Sequence, residues 1–520
     1  MQSYFSNDRP LFPKIIERHG AWLGRKQALI TPKLSLDWRT FDQQTSGLAA
    51  TFYDRGIRRG DRLGVVMSNG AAMALTLVAA MKCGAVTVPI NLSVSDDTIV
   101  ALLTDADIAG LVLTDDQAGR VASLAFPDAF RLELPADGAL PDPLTSNSDN
   151  TYKAESPEAD TLMNIIYSSG TTGMPKGIAH AHQGRLDWTY DIALALRYHA
   201  DSRTLFTIGL YSNISWVGFL STLLLGGTLV IQPAFEARDT LAIMAKERIT
   251  NGSMVPLQFQ RLLDADPDQR FDPSHLSALM SCGSPLPYDL KQMLFDRWGP
   301  KVIELYGLTE GLITTLQPGD AFSDTSDRLK SVGKPLPGTT IKLLNDENEE
   351  VATGQPGEIV GTGRITMPGY WRREDASKDS SWTDGDSTVW LRTGDIGVLD
   401  EDGFLTLVDR KKDMILSGGQ NIYPQDIEAT ARQHPLVRDV AVIGAKSSVW
   451  GETPIAFIEV ETADGAIMPD TELLRAEINK QLGKQQRLKD LEIIDEIPRN
   501  PAGKILKQIL RTRVRERCYD

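Results

Sequence analysis

GDRLGVVMSNGAAMALTLVAAMKCGAVTVPI, Gly60 to Ile90, decides the fold class. Residues 63–67 are a short apolar run behind Gly60 and Asp61, residues 71–82 have helical composition, and residues 85–90 are apolar and β-branched. The order reads strand, helix, strand. Further strand candidates at 110–113 and 228–231 extend the alternation, which predicts parallel sheets covered by helices. The fold class is therefore α/β.

Outward from that run, a polar stretch at 141–160, containing TSNSDN and AESPEAD, reads as a surface connection before a strand at 162–167. From 331 to about 407 the apolar runs shorten (341–344, 357–360, 404–408) between Gly and Pro, which predicts a small β-rich subdomain. Beyond Asp409, Arg410, Lys411 and Lys412, strand candidates at 440–443 and 455–460 mix with helices at 425–433 and 470–482, a separate α+β domain. No repeat of fixed period is visible. The expected division is a large region of several αβ-layered subdomains at 1–409 and a small domain at 410–520.

A chain of 520 residues with 42% hydrophobic and 24% charged side chains can bury several cores and is not disordered. The net charge of −15 repels phosphate backbones and anionic headgroups, which argues against nucleic-acid and membrane partners. The longest apolar windows are interrupted short of about 20 residues and read as buried core, with no integral membrane association expected. Cys83, Cys282 and Cys518 are too few and too separated for a disulfide framework or a CxxC metal site, so a reducing cytoplasm is expected. The start, MQSYFSNDRPLFPKII, lacks the pattern of a secretory signal.

Five segments carry chemistry. YSSGTTGMPKG, Tyr167 to Gly177, follows the 162–167 strand. Its glycines (Gly170, Gly173) let backbone amides approach an oligophosphate, Ser168, Ser169, Thr171 and Thr172 offer hydroxyls, and Lys176 adds a cation. It is not a Walker A loop, because glycine rather than Ser or Thr follows Lys176. YGLTE, Tyr306 to Glu310, sets the Thr309 hydroxyl beside the Glu310 carboxylate, a combination suited to a phosphate oxygen and Mg²⁺. SCGSPL precedes it at Ser281 to Leu286. In LRTGD, Asp395 can accept both hydroxyls of a ribose, as acidic residues do in nucleotide sites. VDRKKDMILSGGQNIYPQDIE, Val408 to Glu428, sits at the inferred boundary, and PRNPAGK places Lys504 in a loop near the C-terminus. Taken singly, most of these are turns, linkers or a surface lysine.

Together, in this order, they resemble the adenylate-forming superfamily of acyl-CoA and aryl-CoA synthetases, luciferases and peptide-synthetase adenylation domains. The resemblance spans the chain from Gly60 to Lys504. It implies an ATP-dependent carboxylate–CoA ligase with ATP, Mg²⁺ and coenzyme A as cofactors: the acid joins the α-phosphate with release of pyrophosphate, and the acyl group then moves to a thiol. Carried over by motif, Ser168 to Lys176 hold the β- and γ-phosphates, Thr309 the α-phosphate, Glu310 the Mg²⁺, and Asp395 with Arg410 the ribose. Gly283, Ser284, Pro285 and Tyr306 frame the adenine. Lys504 bridges the attacking carboxylate and α-phosphate, Lys412 is the hinge of a mobile C-terminal domain, and Gly418 and Gly419 line the pantetheine passage.

One departure concerns the acid: where many relatives carry a histidine after an aromatic residue, this chain reads GLYSNISW, with Ser212 after Tyr211. Tyr211, Asn213, Trp216, Met254 and Leu257 are the candidate pocket wall, which suits a medium-sized or aromatic, largely apolar acid. His180 and His182 are read as structural or solvated, and the basic ending RTRVRER (511–517) as a solvated helix end. Loading of a carrier protein in trans, a luciferase-like oxygenase and a non-catalytic nucleotide-binding module are the competing readings; a homo-oligomer is compatible with all.

Overall fold

The computed structural model describes residues 10–122, 130–136, 140, 157–167, 175–317, 319, 326–418, 420–460, 469–499 and 504–519. The opening run folds as strand Arg62–Val66, helix Ala71–Cys83 and strand Val86–Pro89. Every residue of that helix is buried, as an all-round apolar sequence demands. It stops where Gly84 takes φ +72°, a left-handed cap that costs glycine little.

Two compact units account for the chain: residues 1–329, 333–340 and 361–391 form the first, and 330–332, 341–360 and 392–520 the second. The first holds two sheets. One has nine strands in the order Lys334–Pro335, Gly311–Leu316, Val302–Leu308, Ala278–Ser281, Asn251–Met254, Arg203–Phe206, Thr228–Ile231, Gln27–Ile30 and Ser35–Asp37. The other has seven: Gly369–Tyr370, Gly177–Ala181, Leu162–Tyr167, Val86–Pro89, Arg62–Val66, Gly110–Thr114 and Phe130–Leu134.

Side-chain alternation along these strands explains the layering. Leu229 and Ile231 of one sheet and Leu63 and Val65 of the other share a core with the helices Ala71–Cys83 and Asn213–Leu225, which lie between the sheets. Their neighbours in sequence face outward: Val230 packs with the helices Pro256–Ala265 and Tyr288–Trp298, and Val66 with the helix Asp96–Ala106. Strands buried on both faces are the signature of a parallel sheet under helical cover, and the α/β reading holds.

In the second unit, strands Ile415–Ser417, Gln420–Ile422, Val437–Ser447, Gly451–Val460 and Asp490–Ile493 make a five-stranded sheet. The helices Pro424–Arg432 and Thr471–Gln481 pack on it through Ile427, Ala431, Leu474 and Ile478. The ladder continuing from residue 392 pairs Asp395 with Arg410, Ile396 with Asp409 and Val398 with Thr406. Strands and helices fall within a few residues of their expected positions, except that the two expected at 440–443 and 455–460 are longer, forming one continuous hairpin. Of the expected 141–160 connection, 141–156 lie outside the described residues. Among the described residues no helix is long and apolar enough to cross a membrane.

Candidate active site

Five strands of the larger sheet, from Thr228–Ile231 through Arg203–Phe206, Asn251–Met254 and Ala278–Ser281 to Val302–Leu308, run parallel. Their carboxyl ends share one edge, where open α/β sheets present ligand-binding loops. That edge collects Tyr211, Met254, Leu257, Gly283, Ser284, Pro285, Tyr306, Thr309 and Glu310, segments up to about a hundred residues apart in sequence. Leu162–Tyr167 runs parallel to Val86–Pro89, so Tyr167 stands at the carboxyl edge of the smaller sheet. Ser168, Ser169, Gly170, Thr171, Thr172 and Gly173 lie outside the described residues.

Thr309 and Glu310 are the two residues of a tight hairpin, since Leu308 pairs with Gly311. The turn is pinned by Gly311, at φ +127°, where an added Cβ would lie 2.8 Å from the Thr366 Cα. It is pinned again by the Met367 amide, which donates to the Glu310 carbonyl at 2.7 Å. Tyr370 Oη donates to Glu310 Oε1 at 3.0 Å, and Lys176 Nζ stands 4.8 Å from the Tyr370 ring centre. Burial, reinforced by the Glu310 carboxylate, keeps the Tyr370 hydroxyl protonated and able to donate. One carboxylate, one cation and a phenol thus converge where the sequence expects a metal-bound oligophosphate. Among the described residues no three His, Cys, Asp or Glu side chains cluster as a metal cage. A Mg²⁺ at Glu310 fits this donor set, because that ion takes few protein carboxylates and fills its octahedron with phosphate oxygens and water.

The Gly283–Pro285 turn starts with Gly283 at φ +96° and ends where the Leu286 amide donates to Glu304 Oε1 at 2.8 Å. Glu304 is 5% exposed and paired with the equally buried Lys291 Nζ at 2.5 Å. The sequence reading missed this support: Glu304 sits two residues before Tyr306, so one buried ion pair fixes the turn and the strand that carries the tyrosine.

A cavity of about 570 Å³ opens at the carboxyl edges of both sheets, with Met67, Asn69 and Asn91 on one side and Gly209, Tyr211 and Pro233 on the other. Asn69 ties the edges together: Oδ1 accepts from the Leu210 amide at 3.2 Å and Nδ2 donates to the Gln232 carbonyl at 3.1 Å. Of the expected pocket wall, Tyr211 lines this cavity. Asn213 opens the helix Asn213–Leu225, and its Oδ1 is buried without a partner among the described residues. Trp216 is wholly buried, its Nε1 donating to the Leu210 carbonyl at 2.9 Å. Met254 is buried in the outer core, and Leu257 is 40% exposed.

In the second unit, Arg410 Nε lies 3.3 Å from Asp395 Oδ1 across the ladder, and Gly394 at φ +69° bends the strand beside them. Lys504, 109 residues beyond Asp395 in sequence (504 − 395), joins this group. Burial pushes its ammonium pKa down to about 8; repulsion from Arg410 and Lys412 adds to that, while Asp395 and Asp413 oppose it. Burial and Arg410 also lower the pKa of Lys412. Gly418, at φ +58°, turns the Ile415–Ser417/Gln420–Ile422 hairpin under the Trp450 ring, which an added Cβ would meet at 2.9 Å. Gly419 and residues 500–503 lie outside the described residues.

The basic ending is largely the solvated helix end that the sequence suggests, with Arg513, Arg515 and Arg517 exposed and Arg511 partly covered. Within and beyond the helix Lys507–Val514, Arg511 pairs with the partly buried Asp413 at 2.8 Å, Lys507 with Glu428 at 2.8 Å, and both Arg513 and Arg517 with Glu492. Acidic partners from distant segments absorb the charge, which the local run of arginines could not reveal. His180 and His182 are 7% and 0% exposed, consistent with the structural half of their reading.

Residues 16–371 match the AMP-binding enzyme family and residues 426–504 its C-terminal domain. Feruloyl-CoA synthase of Amycolatopsis sp is 33% identical over 92% of this chain and 94% of its own length. A 2-succinylbenzoate–CoA ligase of Bacillus licheniformis is 30% identical over 95% and 99%. The crystal structure of ATP-bound MatB from Rhodopseudomonas palustris superposes with a TM-score of 0.87 at 26% identity, covering 97% of this chain and 99% of that one. An o-succinylbenzoate CoA synthetase from Bacillus subtilis, in complex with its acyl-adenylate intermediate, gives 0.84 at 25% identity, covering 97% and 98%. With a hairpin that presents Thr309 and Glu310, a paired Asp395 and Arg410, and a family match over most of its length, the chain belongs to the AMP-binding enzymes, the adenylate-forming family.

Proposed function

We propose that this enzyme is an ATP-dependent carboxylate–CoA ligase of the reducing cytoplasm, acting on a medium-sized or aromatic acid. The observation that carries the reading is the gathering of Lys504 with Arg410 and Asp395 in one unit, since a partly buried ammonium beside a carboxylate able to accept a ribose suits chemistry at the nucleotide's α-phosphate.

In the first half-reaction a carboxylate oxygen of the acid attacks the α-phosphorus, the α–β phosphoanhydride breaks, and pyrophosphate leaves. Lys504 holds a positive charge between two anions that must approach each other, an electrostatic contribution of the kind worth ~10²–10³ in rate. Thr309 orients the α-phosphate; Glu310, steadied by Tyr370, and Lys176 face the β- and γ-phosphates. Mg²⁺, when bound at Glu310, neutralises phosphate charge in flight. In the second half-reaction the coenzyme A sulfur attacks the acyl carbon and AMP leaves with the bonding electrons. We place the acid against Tyr211, in the cavity at the joined sheet edges. The domains of this reading are 1–409 and 410–520, with Lys412 as the pivot that exchanges Lys504 for Gly418 and Gly419 between half-reactions.

The test is a pyrophosphate-release screen over carboxylic acids, each with and without coenzyme A. An acid that triggers release and is recovered as its CoA thioester is the expected result. Release without thioester, cured by an acyl carrier protein, overturns the CoA assignment in favour of carrier loading; no release with any acid leaves a nucleotide-binding module.

A further inference from the structure

Tyr370, whose hydroxyl donates to Glu310, belongs to Gly369–Tyr370, a two-residue strand at the edge of the seven-stranded sheet. Two ladder pairs, Gly369 with Ala179 and Tyr370 with Ile178, hold so short a strand weakly. The placement of the phenol therefore depends on the residues that follow. The Trp371 amide donates to the Gly177 carbonyl at 2.7 Å, and Arg372 and Arg373 reach the carboxyl end of the helix Asp96–Ala106.

That helix ends against its own electrostatics. Asp105 lies in the last turn and Asp107 caps it at φ +53°, with no basic side chain in the turn, although the negative pole of a helix repels carboxylates. Their cations come from elsewhere: Arg62 and Arg372 pair with Asp107 at 2.9 Å and 2.7 Å, and Arg373 pairs with Asp105. The Asp107 side chain is 53% exposed, where ion pairs contribute little. Asp105 is only 15% exposed and divides its oxygens, Oδ1 accepting from Arg373 and Oδ2 from Tyr167 Oη at 2.7 Å. Burial, together with the Asp105 carboxylate, keeps the Tyr167 hydroxyl protonated, as that bond requires.

Both partners lead back to Glu310. Tyr167 pairs in register with Gly177, where an added Cβ would lie 3.1 Å from the Tyr167 ring, so the ring seats on the residue that follows Lys176. Arg373 follows Tyr370 by three residues. One carboxylate thus holds the two segments from which Lys176 Nζ and the Tyr370 ring meet at 4.8 Å.

We propose that Asp105 is a positioning residue for the metal-bound phosphates: holding Tyr167 with one oxygen and Arg373 with the other, it sets Tyr370 against Lys176 and keeps the Tyr370 hydroxyl on Glu310. The inference rests on the ligase reading, which gives Glu310 its Mg²⁺, and deepens it. Asp105 touches neither metal nor nucleotide. It acts through Tyr370, as groups that orient a metal's ligand do.

The experiment titrates the full chain with ATP by calorimetry, once with Mg²⁺ and once with EDTA. The readout is the ratio of the two Kd values, which a general loss of folded protein leaves unchanged. Wild-type protein should bind ATP more tightly with Mg²⁺. Asp105→Ala should lose about tenfold of that gain, the low end of what removing such an orienting partner costs. Arg373→Met, at a half-exposed side chain that the fold tolerates losing, should lose a similar share. Asp105→Asn, which keeps an acceptor for Tyr167, should lose less. Because the effect passes through Tyr370, the double variant Asp105→Ala/Tyr370→Phe should lose no more than the larger of its two single losses. A merely structural role would lower the melting temperature and the binding stoichiometry and leave the Mg²⁺ gain intact. Additive losses in the double variant, an undiminished gain in folded Asp105→Ala or Arg373→Met, or a wild-type Kd indifferent to Mg²⁺ overturns the assignment. Wild-type protein that shows the Mg²⁺ gain yet releases pyrophosphate with no acid fails the ligase reading alone, and the variants still decide the role of Asp105.

Discussion

Lys504 illustrates how much a single side chain depends on its surroundings. An ordinary lysine titrates near 10.4, but burial and the neighbouring Arg410 and Lys412 bring this one to about 8. Its useful form is the cation, fully present well below pH 8 and lost as pH rises through that value. Because kcat/KM reports the free enzyme, its pH profile for adenylate formation should fall with an apparent pKa near 8. The kcat limb should lie higher, since the bound α-phosphate favours the ammonium. Pyrophosphate release measured from pH 6.5 to 10 checks both limbs; a kcat/KM that stays flat to pH 10 would rule out titration of this lysine. The residue's identity as a candidate was visible in PRNPAGK, but its environment was not. Arg410, Lys412 and Asp413 come from a segment about ninety residues earlier, and only folding brings their charges to bear. Tyr370 is a stronger case: nothing in its local sequence marks it, and its role follows entirely from the pairing of Gly369–Tyr370 with Gly177–Ala181.

Elements were more legible than partners. The helix Ala71–Cys83 could be read because its composition is apolar all round and Gly84 stops it, and the strand Thr228–Ile231 because it is a short apolar run behind glycine. Hidden in the sequence was the way one element props another. Gly283, Ser284 and Pro285 look like a free turn, yet the turn hangs on Glu304, which is tolerable in the core only because Lys291 answers its charge. Removing the cation alone is therefore the severe change. Lys291→Met should destabilise the protein by about 3–5 kcal/mol, the cost of leaving one member of a buried pair uncompensated. Where the fold survives, ATP KM should rise with little change in the KM of the acid. Denaturant melts and separate KM determinations check this; equal effects on both substrates would mean that the pair does not act through the adenine turn. In the basic run 511–517 the exposed Arg513 and Arg517 stay solvated as read, and only the partner of Arg511, Asp413 from a distant segment, was hidden in the sequence.

At the scale of the whole molecule, a net charge of −15 argues against polyanionic partners, while the proposed substrates ATP and coenzyme A are themselves polyanions. The proposed resolution is local: Lys176 in the first unit, and Arg410, Lys412 and Lys504 in the second, are the cations that the reading assigns to the phosphates. The division of these cations between two units gives the proposed cycle its logic, since charge needed for adenylation is not needed for thiol transfer. The five-segment order along the chain made this organisation readable, whereas the cavity beside Tyr211 was not, because it is assembled from loops of two sheets. The central claim is that Lys504 serves the first half-reaction and not the second. The measurement is made on Lys504→Ala, following pyrophosphate release from ATP and acid and, separately, thioester formation from supplied acyl-adenylate and coenzyme A. A loss of at least ~10²–10³ in the first, with the second within a few-fold of wild type, is the predicted result; an equal loss in both would contradict it.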